Sequence, residues 1–470
     1  MKKLFGILIV LSFIMESSAQ GAGSSAVLDQ NPEAILTHLD LKSKPMLKRT
    51  ESLYRTVETP QLNKLESGYL LTYTDEHYNG HLVFLDDEFQ VKKDVRLAKC
   101  GIVKVCTEKN QIVLLKCKYS YQKEGKDLRY WEHNLFFERY SLDGTKISRT
   151  KLIGDQYYLK GKNNRTYRAD YESSLIEHNG DYYASFEFQF NTNKKYDCKH
   201  YRLVKISPDN KVIVLNTMYK HVIESKLLVH KDTLFHIYTQ TRGPRAIVLQ
   251  KYALDSVSKI EIVAEEVKNT GKDVDYKIRY QTPKIVLFSI TDGVDNGDYL
   301  CKDDHVPVRI ENAFISSSGL SLLLCSMQDR KTYDLILANY ELNGKARKEI
   351  PLATNRYYHE TSCYAKKVGD SLQLVYKTID ESGKRPDVTK VATVNLNTKA
   401  KSEHVVNANF IPKPVFKFYT CSSGAYGTKL FQRDVNTNHY NCCHANTPDG
   451  MAILNWNEQG IDIVHVIIPR

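Results

Sequence analysis

The sequence predicts an all-β fold, a β-propeller of seven blades that are each a four-stranded antiparallel sheet, with eight blades as the alternative count. Three observations predict it. Short runs of strand length, rich in Tyr, Val, Ile and Phe, fill the chain and are divided by Gly, Asn, Asp and Pro. They come in fours, one set in about 45 residues, and self-similarity at that period marks a radial repeat of small sheets. Helical periodicity is confined to short stretches, so no helical layer is expected.

In chain order, Lys2 and Lys3 precede an apolar run from Leu4 to Met15 and then Ser17-Ser18-Ala19. That is the layout of an export signal over residues 1–19, with the mature chain starting near Gln20. The run is shorter than the ~20 residues a spanning helix needs, and no second run of that length follows, so no integral membrane span is expected. The expected location is secreted or periplasmic. Residues 20–49 form an N-terminal segment in which Ile35 to Leu41 alternates like a strand and is available to close a ring. Residues 50–470 are assigned to the propeller.

The first unit runs from Gln61 to Leu97 and the second from Ile102 to Ile153, with turn chemistry at Glu66-Ser67-Gly68, Asp86-Asp87-Glu88 and Asp143-Gly144. The third, Glu172 to Leu215, turns at His178-Asn179-Gly180-Asp181 and Ser207-Pro208-Asp209-Asn210. A fourth is read as Ser225–Val229, Thr233–Gln240, Ala246–Ala253 and Lys259–Ala264. Register is then lost from about Glu265 to Arg309, where Tyr276–Tyr280 and Lys284–Ile290 still look like strands. Regularity returns at Asn312 and persists to Ala408, with Asn343-Gly344 and Gly369-Asp370 as turns. The last unit is read as Val415–Cys421, Thr428–Arg433, Met451–Trp456 and Ile461–Ile468.

At 42% hydrophobic residues the chain can bury a large core, and 31 Tyr against 2 Trp suit strands that are apolar at the base and polar at the tip. The net charge of +11 is spread without a basic block, which argues for a solvated surface and against a nucleic-acid partner. Ten cysteines, an even number in an exported chain, predict disulfides, with buried thiols as the alternative for Cys117 and Cys325 inside apolar runs.

Aligned on their first turns, the units share a carboxylate near the start of the first strand: Glu172, Glu224, Glu311 and Glu360. The loop ahead of each is polar and aromatic, with Arg168 and Tyr171, His221, and Arg356, Tyr358 and His359 as the residues of interest. In a propeller these loops meet at the mouth of the central channel. Carboxylates, cations and aromatic faces there suit a glycan or a protein segment, because rings stack on sugars and charged groups make strong directional hydrogen bonds. The expected function is a binding or scaffold module. The alternative is a carbohydrate-active enzyme, a glycoside hydrolase or polysaccharide lyase, whose acid and base come from different blades and leave no local motif. The competing structural role is a clamp between neighbouring blades.

Motifs for nucleophilic catalysis, such as Gly-x-Ser-x-Gly or His-Glu-x-x-His, do not occur. No cofactor is assigned. The acidic run Asp292 to Asp298 with Asp303 and Asp304 has oxygen ligands for calcium, but its spacing is not that of an EF-hand, and an acidic turn is the preferred reading. His439 to His444 carries metal-type side chains in an arrangement unlike a structural zinc site. Asn164-Arg165-Thr166 is a glycosylation sequon.

Overall fold

The computed structural model describes residues 32–45, 60–108, 111–124, 127–153, 173–190, 198–218, 222–240, 246–257, 283–289, 308–316, 319–327, 333–347, 349–353, 358–380, 388–398, 400–406, 444–457 and 460–468. They form seven four-stranded antiparallel sheets, the blades of a seven-bladed propeller. The eight-blade alternative is thereby excluded.

Strand β1 (Glu33–His38) comes first in the chain but belongs to the last blade. Blade 1 consists of β2 (Gln61–Lys64), β3 (Tyr69–Thr74), β4 (Gly80–Leu85) and β5 (Val91–Leu97). Blade 2 follows with β6 (Cys100–Glu108), β7 (Gln111–Glu124), β8 (Asp127–Ser141) and β9 (Lys146–Ile153). Blade 3 has β10 (Ser174–His178), β11 (Asp181–Phe190), β12 (Cys198–Ile206) and β13 (Val212–Met218). In blade 4, β14 (Val222–His230), β15 (Thr233–Gln240) and β16 (Ala246–Ala253) lead into a single helical turn, α1 (Leu254–Val257), before β17 (Ile285–Ser289). Blade 5 is β18 (Val308–Ser316), β19 (Gly319–Met327), β20 (Tyr333–Tyr340) and β21 (Ile350–Ala353). Blade 6 is β22 (Tyr358–Val368), β23 (Ser371–Asp380), β24 (Val388–Asn395) and β25 (Lys401–Val406). Blade 7 is β26 (His444–Asn446), β27 (Gly450–Asn457) and β28 (Gly460–Ile467), with β1 paired antiparallel to β28 as its outermost strand.

First strands of neighbouring blades approach one another around the axis, as β2 does β6 and β26, and β14 does β10 and β18. The upper face is defined here as the one where these innermost strands begin and where the second strand of each blade turns into the third. The lower face carries the other two turns of each blade.

Alternation along each strand explains why the sheets stack radially. Leu70 of β3 packs toward blade 2 with Ile112 and Leu114, while its neighbours Tyr69 and Leu71 pack toward blade 7 with Ile453 and Val464. On β7, Val113, Leu115 and Cys117 reverse direction and pack against Tyr182 and Phe186 of blade 3. Side chains of period two thus feed both faces of the sheets, and apolar clusters fill the seams, one of them running continuously from blade 6 through blade 7 to blade 1. The turns follow the residues that permit them. Asn179 and Gly180 both take positive φ, 53° and 84°, as a two-residue hairpin of the primed type requires. Between third and fourth strands, Asp143 accepts from Thr145 N at 3.0 Å, and Asn343 Oδ1 accepts from Lys345 N at 2.8 Å.

Seams are also tied by cations that reach backbone carbonyls of a neighbouring blade. Lys93 Nζ donates to Asp143 O at 2.7 Å, Arg139 to Pro208 O and Ser207 O at 2.8 and 3.0 Å, and Lys366 Nζ to Thr447 O at 2.7 Å. All these acceptors lie on lower-face turns.

Several strands differ from the sequence reading. The fourth strand of blade 4 is β17 and not Lys259–Ala264, which lies outside the described residues, as does Tyr276–Tyr280. The irregular stretch therefore contributes to blades 4 and 5 and adds no eighth blade. Strands β7 and β8 run well past the predicted limits because Gln122, Lys123 and Glu124 pair with Arg129, Leu128 and Asp127 despite their polarity. The innermost strand of blade 7 is β26; Val415–Cys421 and Thr428–Arg433 lie outside the described residues.

Cys100, Cys106 and Cys117 are thiols, which departs from the expected disulfides for Cys100 and Cys106 and is the buried-thiol alternative for Cys117. Cys117 is fully buried in the apolar seam with blade 3, its thiol donating to Gly101 O at 3.6 Å, and it behaves as a small hydrophobe.

Candidate functional site

Of the predicted residues, Glu224, Glu311, Tyr358, His359 and Glu360 are carried near the upper-face start of the innermost strands β14, β18 and β22, and several innermost strands are bulged there. Register shifts fall between Ile102 and Lys104 in β6, between Val222 and Ser225 in β14, between Ile310 and Asn312 in β18, and between Thr361 and Cys363 in β22. A bulge bends the strand and re-aims the side chain of the extra residue. Glu311 is the extra residue of β18, and Glu224 falls within the shift in β14. Glu360 instead sits in the regular ladder, paired with Thr378, next to His359 and Tyr358, which pair with Ile379 and Asp380. The carboxylates are thus not equivalent in register. Glu311 is 5% exposed and has an interacting partner. Glu172, Arg168, Tyr171, His221 and Arg356 lie outside the described residues, and so do residues 290–307 of the acidic run, residues 439–443 and the sequon at Asn164.

The clamp role proposed for these carboxylates is filled by neutral side chains at two of the inner seams. Gln61 of β2 donates from Nε2 to Val103 O at 3.1 Å and accepts from Val105 N at 3.1 Å, bracketing the bulge of β6. Ser174 of β10 donates to Ser225 O of β14 at 2.6 Å.

Above blade 2, β7 and β8 continue as a two-stranded ribbon. The pairing of β6 with β7 ends at Cys100 and Lys118, whereas Tyr119 to Glu124 still pair with Glu132 to Asp127, including Tyr121 with Tyr130. The ribbon rises from the same face on which Glu224, Glu311 and Glu360 are carried.

A second constellation, absent from the sequence reading, lies at the upper edge of blade 1. His81 Nδ1 is 2.8 Å from Asp94 Oδ1, and His81 Nε2 is 3.1 Å from both Ser43 Oγ and Asp75 Oδ2. The side chains of His81, Asp75 and Asp94 are 4%, 3% and 5% exposed. A Ser–His–Asp order invites comparison with a nucleophile, base and orienting acid. The second carboxylate decides against it. Burial alone would lower the His81 value, but the hydrogen bonds and charges of Asp94 and Asp75 outweigh it and raise it above 6.5. Burial likewise opposes the ionised Asp75, and the Asn79 amides with His81 outweigh that and lower its value below 3.8. With a carboxylate oxygen at each ring nitrogen, the arrangement favours the protonated ring, and Nε2 is shared between Asp75 and Ser43 where a general base would face the hydroxyl alone. Tyr73 stacks on the ring at 4.7 Å and donates to Ser43 O at 3.2 Å. The group is a buried clamp joining the N-terminal segment to blade 1. Its members are distant in sequence and come from an irregular segment, a turn and two strands, so only their spatial arrangement reveals them.

A cavity of about 270 Å³ opens on the lower face between blades 5 and 6, lined by Ser321, Asn339, Arg347 and Asn397 among others. Ser321 Oγ donates to Asn339 Oδ1 at 2.8 Å, so these polar groups engage each other. It lies on the face opposite the predicted residues.

No family model and no curated protein sequence matches the chain. Among solved structures, a variant of the Synechocystis apocarotenoid oxygenase is similar at TM-score 0.39 and 7% identity, covering 73% of this chain and 72% of that one. A subtype N10 neuraminidase-like protein of A/little yellow-shouldered bat/Guatemala is similar at TM-score 0.39 and 9% identity, covering 71% of this chain and 93% of that one. Likeness of this size carries no inference about ligand or activity.

Proposed function

We propose that the chain is an exported binding or scaffold module that holds a glycan or a protein segment on the upper face, around the carboxylates at the start of the innermost strands. The observation that supports this reading is the break in ladder register at Glu224 and Glu311, since bulges are over-represented next to functional sites as well as at sheet edges and rims. The β7–β8 ribbon of blade 2 extends on the same face. The Ser43–His81–Asp94 group lends the catalytic alternative no nucleophile, because His81 is engaged by two carboxylates. Export rests on the pattern of residues 1–19.

The test is a glycan array and a peptide library probed with the mature chain, followed by calorimetry on the best ligand. Glu311→Gln combined with Glu224→Gln is expected to weaken binding at least tenfold with the far-UV circular dichroism unchanged. Undiminished affinity in that variant would sink the assignment of the site. Turnover of a polysaccharide, lost in Glu360→Gln, would replace the binding module by the carbohydrate-active enzyme.

A further inference from the structure

No run of the sequence is strongly basic, yet folding concentrates cations at one place on the outside of the ring. The outermost strands of blades 1 and 2 are β5, with Lys92, Lys93 and Arg96, and β9, with Lys146, Arg149 and Lys151. The other five outermost strands, β13, β17, β21, β25 and β1, carry a single Lys or Arg between them, Lys401, which is paired with Glu403. A cation on an edge strand ordinarily discourages pairing with another chain. That role would call for cations on β13 and β17 as well, and neither strand has one.

Register turns the cations of β9 onto one wall. Lys146 pairs with Tyr140, Arg149 with Glu138 and Lys151 with Phe136, and each shares a face with the residue opposite it. Lys146 and Arg149, three residues apart, would point to opposite sides of a regular strand, and the register shift that leaves Ile147 as the extra residue brings them to the same side. This face looks toward blade 1, because Tyr140 packs with Leu70 and Leu82. Lys93 comes from the facing blade, its Nζ reaching Asp143 O at 2.7 Å, and Lys116 of β7 lies deeper, its side chain 12% exposed. The carboxylates nearby are already placed. Glu138, fully buried, is 2.7 Å from Lys116 Nζ and 3.2 Å from Arg149 Nε and accepts from the Tyr140 hydroxyl. Asp143, at the lower end, accepts from Thr145 N and Oγ1 at 3.0 and 3.1 Å within its own turn, and Asp94 of β5 is held by His81. Lys93, Lys146, Arg149 and Lys151 are all exposed above the buried Glu138.

We propose that the outer seam between blades 1 and 2 is a binding groove for a linear anionic polysaccharide, sulfated or carboxylated, distinct from the upper-face site and independent of it. Cations in excess of carboxylates attract a polyanion, and sulfate and carboxylate oxygens are strong acceptors for ammonium and guanidinium donors. Shape selects the polysaccharide. Lys146, Arg149 and Lys151 stand in file along one strand over about 15 Å, at ~3.3 Å per residue, with Lys93 on the wall opposite and Lys116 set deeper between them. A narrow file of charges between two blades suits a chain that carries its own charges in a row, whereas a membrane surface asks for a broad face.

Binding of the full mature chain to immobilised heparin and to polygalacturonate, measured by biolayer interferometry at about 0.15 M salt, tests this; the first probe carries sulfates and the second carboxylates alone. Saturable binding to at least one is expected, weakened at least tenfold in Lys146→Glu combined with Lys151→Glu and unchanged in Glu224→Gln combined with Glu311→Gln. Absence of binding to both probes, or equal affinity in the lysine variant, overturns the groove and leaves the upper-face reading standing. Affinity lost in the Glu224 and Glu311 variant but kept in the lysine variant moves the polysaccharide to the upper face and overturns the groove as well. Tighter binding to phosphatidylserine vesicles or to double-stranded DNA than to either polysaccharide, abolished by the same lysine changes, overturns the polysaccharide as occupant. Where the double lysine variant does not fold by far-UV circular dichroism, Lys146→Gln decides: at least twofold weakening supports the groove, and unchanged affinity overturns it.

Discussion

Replacing Arg139 with alanine removes a guanidinium that is 9% exposed and forks onto Pro208 O and Ser207 O at 2.8 and 3.0 Å, across the seam between blades 2 and 3. It also lies over the rings of Phe137 and Tyr182, 5.4 and 5.2 Å from their centroids. A hydrogen bond from a charged donor contributes about 1.5–3 kcal/mol, so the two carbonyl contacts together hold about 3–6 kcal/mol before desolvation of the cation is set against them. The ring contacts add about 0.5–1 kcal/mol. Net destabilisation of about 3 kcal/mol is expected for Arg139→Ala. Arg139→Lys, which keeps the charge and loses the planar fork, is expected to recover about half of that. Urea unfolding followed by circular dichroism and by tyrosine fluorescence measures both, and coincidence of the two probes tests that one transition is being read. A loss below about 1 kcal/mol for alanine, or full recovery by lysine, would refute the view that the fork ties the seam.

One further substitution and one titration probe other parts of the frame. Gly319 holds φ at +135°, and a Cβ there would lie 2.2 Å from Tyr340 O, so Gly319→Ala is expected to cost about 2–4 kcal/mol in the same urea assay; a change within about 0.5 kcal/mol would show that the turn relaxes. His236 behaves oppositely to His81. It is fully buried between Tyr201 and Tyr238, and burial pushes it down to about 3. Its contribution is therefore present above 6.5 and fades as pH falls from there toward about 3. An NMR titration is expected to show a neutral ring at pH 5, and a midpoint near 6.5 would contradict the burial argument.

The blades were legible because their local chemistry is local. Asn179-Gly180, Asp143-Gly144 and Asn343-Gly344 can each be read as turns from adjacent residues, and the runs between them alternate on two buried faces. Polarity concealed the ribbon, since the pairing of Gln122 with Arg129 and Lys123 with Leu128 is written in backbone hydrogen bonds. Seam ties were equally silent, because Lys93 and Arg139 bind carbonyls, which every residue possesses. The carboxylates near the start of the innermost strands could be found by alignment, yet alignment on the first turn cannot register a bulge. It therefore treated Glu311, in a bulge, and Glu360, in a regular ladder, as equivalents. Ser43, His81 and Asp94 escaped for a different reason: nothing near any one of them in sequence announces the other two.

The pairing of β1 with β28 has a consequence for how the protein comes into being. The first strand of the described chain has its partner at the far end, with His38 and Asp462 424 residues apart. Synthesis proceeds from the N-terminus, and blades built from contiguous chain can assemble as they emerge. Until β28 has been made, however, six sheets stand as an open crescent whose first blade shows an apolar flank of Tyr69, Leu71 and Val83 to solvent. Closing so long a loop is the slow kind of step in folding. The period between emergence of blade 1 and arrival of blade 7 is when a newborn chain is most exposed to joining a neighbour in place of itself.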